Sequence, residues 1–191
     1  FAFDSRDTSS YLPHSYGENC VCYTGTHDNS PLALWKDEAA PEDIAYAREY
    51  LGLNDGEGFN WGIIRGGMSS VARLFVAQMQ DYLELGLHHR TNVPGTQSGN
   101  WQWRLLPGEA TPALARRIAP YLPKQAHVCD AGCGLGGLSV ALLPYCRHVT
   151  AVDRAAAPLE NLRQRAGHDP RLTVRQGDIR CLPPETPYDA M

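Results

Sequence analysis

Two short stretches of this 191-residue chain hold side chains whose types and spacing can do chemistry. In Gly25-Thr26-His27-Asp28-Asn29, an imidazole, a carboxylate and an amide follow an alternating apolar run from Asn19 to Thr24. Parallel α/β enzymes keep reacting groups at the carboxyl ends of strands, and a carboxylate there can stabilise a developing positive charge. A His-Asp pair alone is more often structural or solvent-facing. The second stretch is Asp130-Ala131-Gly132-Cys133-Gly134-Leu135-Gly136-Gly137, with Asp153 following 23 residues after Asp130. Its glycines permit close backbone approach to a ligand, and Gly132, Gly134 and Gly137 satisfy the G-x-G-x-x-G dinucleotide pattern, whose acidic residue follows about 20 positions on. Asp130, two positions before the first glycine, separates the readings. A carboxylate there opposes a pyrophosphate at a helix N-terminus but attracts an ammonium group.

The elements that must position these residues follow from periodicity. In the first stretch's half, Asn19 to Thr24 reads as a strand, Pro41 to Leu51 as a helix opened by Pro-Glu-Asp, and Asn60 to Val71 as a helix weakened by Gly62, Gly66 and Gly67. Leu74 to Met79 is apolar enough for a buried strand. After a turn-rich stretch from Leu106 to Pro112, Ala113 to Leu122 is helical. His127–Asp130, Val149–Asp153 and Leu172–Gln176 then read as strands separated by helices at Gly136–Pro144 and Pro158–Ala166, and Tyr188 to Met191 as the start of another strand. Such βαβαβ alternation implies a parallel sheet with helices on its faces.

Composition divides the chain at the same place. Residues 1–112 carry 7 basic and 14 acidic side chains, a net of −7, and residues 113–191 carry 10 and 7, a net of +3. All 4 Trp, all 4 Phe and 6 of the 9 Tyr lie at or before Trp103. The asymmetry implies two units of different origin, 1–112 and 113–191, joined between Pro112 and Lys124. A formal charge of −4 gives no sign of a nucleic-acid or membrane surface, and no apolar stretch approaches the length of a bilayer span. The start at Phe1-Ala2-Phe3-Asp4 lacks both an initiator Met and a secretory leader, so a cytoplasmic and truncated chain is expected. Six cysteines show no zinc spacing and read as reduced, buried thiols with no metal, Cys20 and Cys22 sharing one strand face.

The second half resembles the class I S-adenosylmethionine-dependent methyltransferases, whose first motif is an acidic residue, one residue, then G-x-G-x-G, here Asp130, Gly132, Gly134 and Gly136. The resemblance implies S-adenosylmethionine as cofactor. Asp130 and the three glycines would hold its methionine part, Asp153 the ribose hydroxyls, and Asp178 in Gln176-Gly177-Asp178-Ile179 the adenine edge. The methyl acceptor stays unnamed.

The first half is similar to the amylomaltases, the 4-alpha-glucanotransferases or disproportionating enzymes, in their C-terminal part. Four motifs carry this in order: Tyr11-Leu12-Pro13-His14, Tyr23-Thr24-Gly25-Thr26-His27-Asp28-Asn29, Asn92-Val93-Pro94-Gly95-Thr96 and Gly99-Asn100-Trp101-Gln102-Trp103-Arg104. Val93 departs from the family's usual Thr. The resemblance implies retaining transfer of α-1,4-glucan segments from maltodextrins. Asp28 would be the third catalytic carboxylate, His27 its neighbour on the cleaved sugar and Asn92 a sugar contact, with the nucleophile and acid/base upstream of Phe1. Residues outside these motif assignments read more plainly: His127, His148 and His168 as strand-edge or surface groups, Trp101 and Trp103 as core or sugar-facing, and Arg104 as a carboxylate anchor.

The fold expected is α/β, a partial (β/α)8 barrel segment followed by a partial Rossmann-like parallel sheet. The function expected is a 4-alpha-glucanotransferase fragment, inactive alone, joined to a partial S-adenosylmethionine-binding domain through a partial or misjoined reading frame. Two rivals stay open: a methyltransferase with an inert N-terminal extension, and a non-catalytic sugar-binding remnant.

Overall fold

The computed structural model describes Phe3, residues 11–178, Cys181 and residues 188–190. It divides into two compact units, Phe1–Arg104 and Leu105–Met191. Both are α/β with parallel sheets. No helix among the described residues is long and apolar enough to cross a membrane.

In the first unit, strand β1 (Val21–Tyr23) pairs in parallel with β2 (Leu74–Val76), Val21 opposite Leu74 and Tyr23 opposite Val76. Between them run helices α1 (Leu32–Glu38), α2 (Pro41–Leu51) and α3 (Phe59–Met68). Helix α2 starts and stops where its residues dictate. Pro41 occupies the first turn with Glu42 and Asp43 at the positive end of the dipole, and Gly52, at φ 60°, turns the chain and donates its N–H back to Arg48 and Glu49. Helix α3 is buried nearly all round, including Trp61, Ile63 and Ile64, and each such apolar side chain contributes roughly 1.5–3 kcal/mol. Its glycines are packing devices. A Cβ on Gly62 would stand 2.5 Å from a Leu53 methyl, and one on Gly66 2.6 Å from a Leu51 methyl. The low helix propensity of glycine is thus offset by the close approach of the α2 end and its following turn.

The strand expected at Leu74–Met79 ends at Val76, and Met79–Tyr82 forms a one-turn helix, α4. Nor is β2 buried: Val21, Tyr23, Leu74 and Val76 form an exposed apolar face, while Cys22 on the opposite face of β1 is buried. An apolar run shows that a strand is apolar, not what lies against it.

Beneath the C-terminal ends of these strands, Asp81 is 1% exposed. Its Oδ2 accepts from the Thr24 hydroxyl (2.6 Å), its Oδ1 from the Leu32 N–H (2.8 Å), and its carbonyl from Asn60 Nδ2 (3.0 Å). Both ends of the loop from Thr24 to Leu32 are therefore pinned to one carboxylate. Burial raises the pKa of Asp81 above the ordinary carboxylate value, against the lowering by these donors. A raised folded-state value means that the native state holds the proton more tightly than the unfolded chain, so this group's contribution to stability falls as pH rises from the ordinary carboxylate value through the raised one. Unfolding midpoints of wild type and Asp81→Asn across that window should show the wild type losing ground to the variant as pH increases. A difference independent of pH would contradict the buried, proton-binding Asp81.

In the second unit, helix α5 (Pro112–Ile118) is capped by Thr111, whose side chain accepts the Leu114 N–H (3.1 Å), and continues as a 3₁₀ turn over Ala119–Tyr121. Strands β3 (His127–Ala131), β4 (His148–Asp153) and β5 (Leu172–Gln176) form a parallel sheet in that order. Helix α6 (Gly137–Leu142) joins β3 to β4, and α7 (Ala156–Ala166) joins β4 to β5. Val128, Val149, Leu142, Leu143 and Ala115 form the core. Of the expected final strand, Ala190 makes a parallel bridge to Val128, with its carbonyl accepting the Cys129 N–H (2.8 Å), and Met191 lies outside the described residues. His127 is buried rather than a surface group: its Nε2 pairs with Thr150 Oγ1 (2.8 Å), and desolvation lowers its pKa. The cysteines are free; Cys22, Cys129 and Cys146 are buried, and Cys181 is exposed.

Candidate functional site

At the carboxyl end of β1, the ladder extends one residue, from the Thr24 N–H to the Val76 carbonyl (3.1 Å). Beyond it, Asn29 Oδ1 accepts from the Thr26 N–H (2.7 Å), closing a tight turn that carries His27 and Asp28 on its tip. Gln78 Nε2, just past β2, donates to the Thr26 carbonyl (2.9 Å) and ties the two strand ends together.

Across the loop, Asn92 Nδ2 donates to Asp28 Oδ1 at 2.6 Å, although the residues lie 64 apart in sequence. His27 Nε2 stands 3.4 Å from the same oxygen. The three residues singled out by sequence are thus brought together, with the Asp28 side chain 49% exposed and Oδ2 accepting no hydrogen bond among the described residues. This arrangement leaves one carboxylate oxygen of fixed direction open to a ligand.

Arg90 organises that arrangement and was missed by sequence reasoning. Its Nη2 donates to the Asp28 carbonyl (2.9 Å), its Nη1 to Ser30 Oγ (2.8 Å) and its Nε to the Asn92 carbonyl (3.4 Å), so one rigid fork spans the Asp28 and Asn92 loops. Its place two residues before Asn92 was the available signal. Among the described residues Arg104 pairs with no carboxylate; its Nη1 donates to the carbonyls of Trp101 (2.9 Å) and Trp103 (2.7 Å), bracing the turn.

The second unit places Asp130 and Asp153 at the C-terminal ends of neighbouring parallel strands, and Asp178 just past the end of the third. Gly132, Gly134 and Gly136 all have positive φ, at 77°, 50° and 68°. Gly136 is required twice over, because a Cβ there would also stand 2.4 Å from a methyl of the fully buried Leu162. The loop is fastened to β4 by the Gly132 N–H on the Val152 carbonyl (2.8 Å) and the Gly134 N–H on Asp153 Oδ2 (2.9 Å). Asp153 Oδ1 accepts the Ala155 N–H (2.8 Å), so each carboxylate oxygen has one donor and retains a second lone pair. Asp130 Oδ2 accepts from the Ser139 hydroxyl at 2.5 Å. Burial raises the pKa of Asp130, Ser139 lowers it, and nearby Asp153 raises it further. Asp178 is half-buried, and Ile179 beside it lies outside the described residues.

Two family models match the chain: one described as 4-alpha-glucanotransferase over residues 1–109, and one described as methyltransferase domain over residues 128–191. A 4-alpha-glucanotransferase of Clostridium butyricum is 45% identical over 119 residues, covering 62% of this chain and 24% of that protein. A 4-alpha-glucanotransferase of Thermus thermophilus is 43% identical over 125 residues, covering 62% of this chain and 25% of that protein. Among solved structures, the amylomaltase of Streptococcus agalactiae in complex with acarbose aligns at a TM-score of 0.57 and 32% identity, over 62% of this chain and 25% of that one. The chain therefore spans about a quarter of the length of these relatives.

Proposed function

Since the chain belongs, through residues 1–109, to the 4-alpha-glucanotransferase family, we propose that its first unit supplies the third carboxylate of a retaining α-1,4-glucan transfer site. The observation that carries this reading is the half-exposed Asp28 carboxylate, held by Asn92 at 2.6 Å and set beside His27 at the carboxyl end of a parallel strand. Retaining transfer passes through a flattened, positively charged sugar ring, flanked by a nucleophile and an acid/base. Asp28, with one oxygen open, faces that charge and stabilises it most as it develops. His27 and Asn92 orient the ring being cleaved, and Arg90 keeps the two loops in register. The first unit is then the C-terminal segment of a (β/α)8 barrel, and its exposed Val21, Tyr23, Leu74 and Val76 are the strand face that points into such a barrel.

On this reading the nucleophile and acid/base would come from the part of the relatives that this chain does not span. One stabilising carboxylate cannot replace them. Incubated with maltotriose, the 191-residue chain is expected to release no glucose above a no-protein control. Release above that control would show a complete reaction centre here and overturn the assignment.

The second unit is methyltransferase-like, and the reading it supports is a partial Rossmann-like sheet that binds S-adenosylmethionine. Its residues fit that group: Gly132 and Gly134 have nothing within 4 Å of a Cβ position, leaving the loop open to a ligand, and Asp130 is a desolvated carboxylate suited to an ammonium. Asp130 and the glycine loop would hold the methionine part, Asp153 the ribose hydroxyls and Asp178 the adenine edge. Bound there, the cofactor would supply an electrophilic methyl group. Desolvation favours pairing Asp130 with an ammonium, while the same carboxylate repels the pyrophosphate of a dinucleotide.

A further inference from the structure

We propose that Trp101 is a stacking platform for a glucose ring of an α-1,4-glucan, next to the ring on which Asp28 acts; the assignment rests on the glucan-transfer reading of Asp28. The indole ring lies against His27, with ring centroids 4.8 Å apart and planes at 40°. His27 Nε2 also stands 3.4 Å from the Asp28 oxygen that Asn92 holds, so the indole and the carboxylate share one histidine neighbour. Trp101 is 56% exposed, so an indole that would ordinarily be core stands largely in solvent beside a polar cluster.

The backbone beneath it is strained and firmly held. Trp101 has φ 62°, and it is the sole aromatic residue among the described non-glycine residues with positive φ. A bulky side chain in that region is an outlier that persists only where its surroundings impose it. Here they do. The Trp101 N–H donates to the Thr91 carbonyl (2.7 Å), and the Trp101 carbonyl accepts from Arg104 (2.9 Å). The preceding Asn100 is clamped on both sides, its Oδ1 accepting from the Val93 N–H (2.8 Å) and its Nδ2 donating to Thr96 Oγ1 (2.9 Å). Apart from its contact with His27, a half-exposed aromatic ring adds little to folding at a left-handed position that glycine would occupy without strain. A ring with an apolar face and a polar edge, fixed beside a carboxylate and an amide, matches the two chemistries of a pyranose: C–H groups on its faces and hydroxyls around its rim.

Saturation-transfer NMR with maltotriose on the full chain tests this, because it detects weak binding. Trp101→Gly is the decisive variant: it removes the ring and relieves the backbone. The wild type is expected to transfer saturation to the C–H protons of maltotriose. Trp101→Gly is expected to lose most of that transfer while its unfolding midpoint stays equal or rises, and Trp103→Phe to keep the transfer. A Trp101→Gly protein with undiminished transfer, or one whose midpoint falls as for a lost core residue, overturns the platform. If Asn92→Ala weakens transfer and Trp101→Gly does not, the platform fails while the Asp28 site stands. A wild type that transfers nothing to maltotriose removes both.

Discussion

Placed in a barrel completed by the part of a full-length relative that this chain does not span, Asp28→Asn is expected to lower kcat and kcat/KM together. The size expected is about 10² to 10³ in rate, roughly 3 to 4 kcal/mol, as for loss of a preorganised oxyanion-hole donor. Asparagine keeps the shape of the side chain but removes the charge that counts only as the sugar ring becomes positive, so substrate binding should change less than turnover. A structural Asp28 would behave differently: its replacement would lower the yield and the unfolding midpoint of the folded protein while leaving the rate per folded molecule unchanged. Turnover and midpoint measured on one preparation separate the two outcomes.

Calorimetry on the second site should give a comparable contrast. The chain is expected to bind S-adenosylmethionine more tightly than NAD, and Asp130→Asn to weaken S-adenosylmethionine by roughly ten- to a hundredfold, the range for a lost hydrogen bond between charged groups. The pH dependence has a fixed sign. Burial raises the Asp130 pKa, so below that raised value the carboxyl is neutral and offers an ammonium little. Affinity should therefore rise with pH through that value in the wild type and stay flat in Asp130→Asn. Equal affinities for the two ligands, or a variant that follows the wild-type pH profile, would remove Asp130 from the site.

Sequence patterning served these two sites unequally. The second unit was legible because each of its parts is local. Leu172–Gln176 forms the strand its alternation implies, and the glycines between β3 and α6 adopt the positive φ that their type permits. At these glycines the special backbone geometry is announced by residue type. The first unit's site is built across distance. Asp28 and Asn92 are 64 residues apart, and no periodicity joins them; only the order of motifs did. Helix α1 was passed over because Leu32 to Glu38 holds just two buried residues and no side-chain cap. Asp81 and Arg90 were missed for a related reason. A buried carboxylate that pins a loop and an arginine that spans two loops look, in sequence, like ordinary surface charges, and their roles exist only once the chain has closed around them. Trp101 stayed open between core and sugar-facing, because alternation with Trp103 says only that the two differ; a left-handed turn held by Thr91 and Arg104 puts the ring in solvent.

The most direct test is the turnover of maltotriose by a chimera in which residues 1–104 replace the matching segment of the Clostridium butyricum relative, 45% identical over the 119 aligned residues. If Asp28, His27 and Asn92 form the stabilising half of a glucan-transfer site, the folded chimera will release glucose at a rate close to that of its parent. A chimera that folds with the parent's unfolding midpoint yet releases no glucose would contradict the assignment of that site.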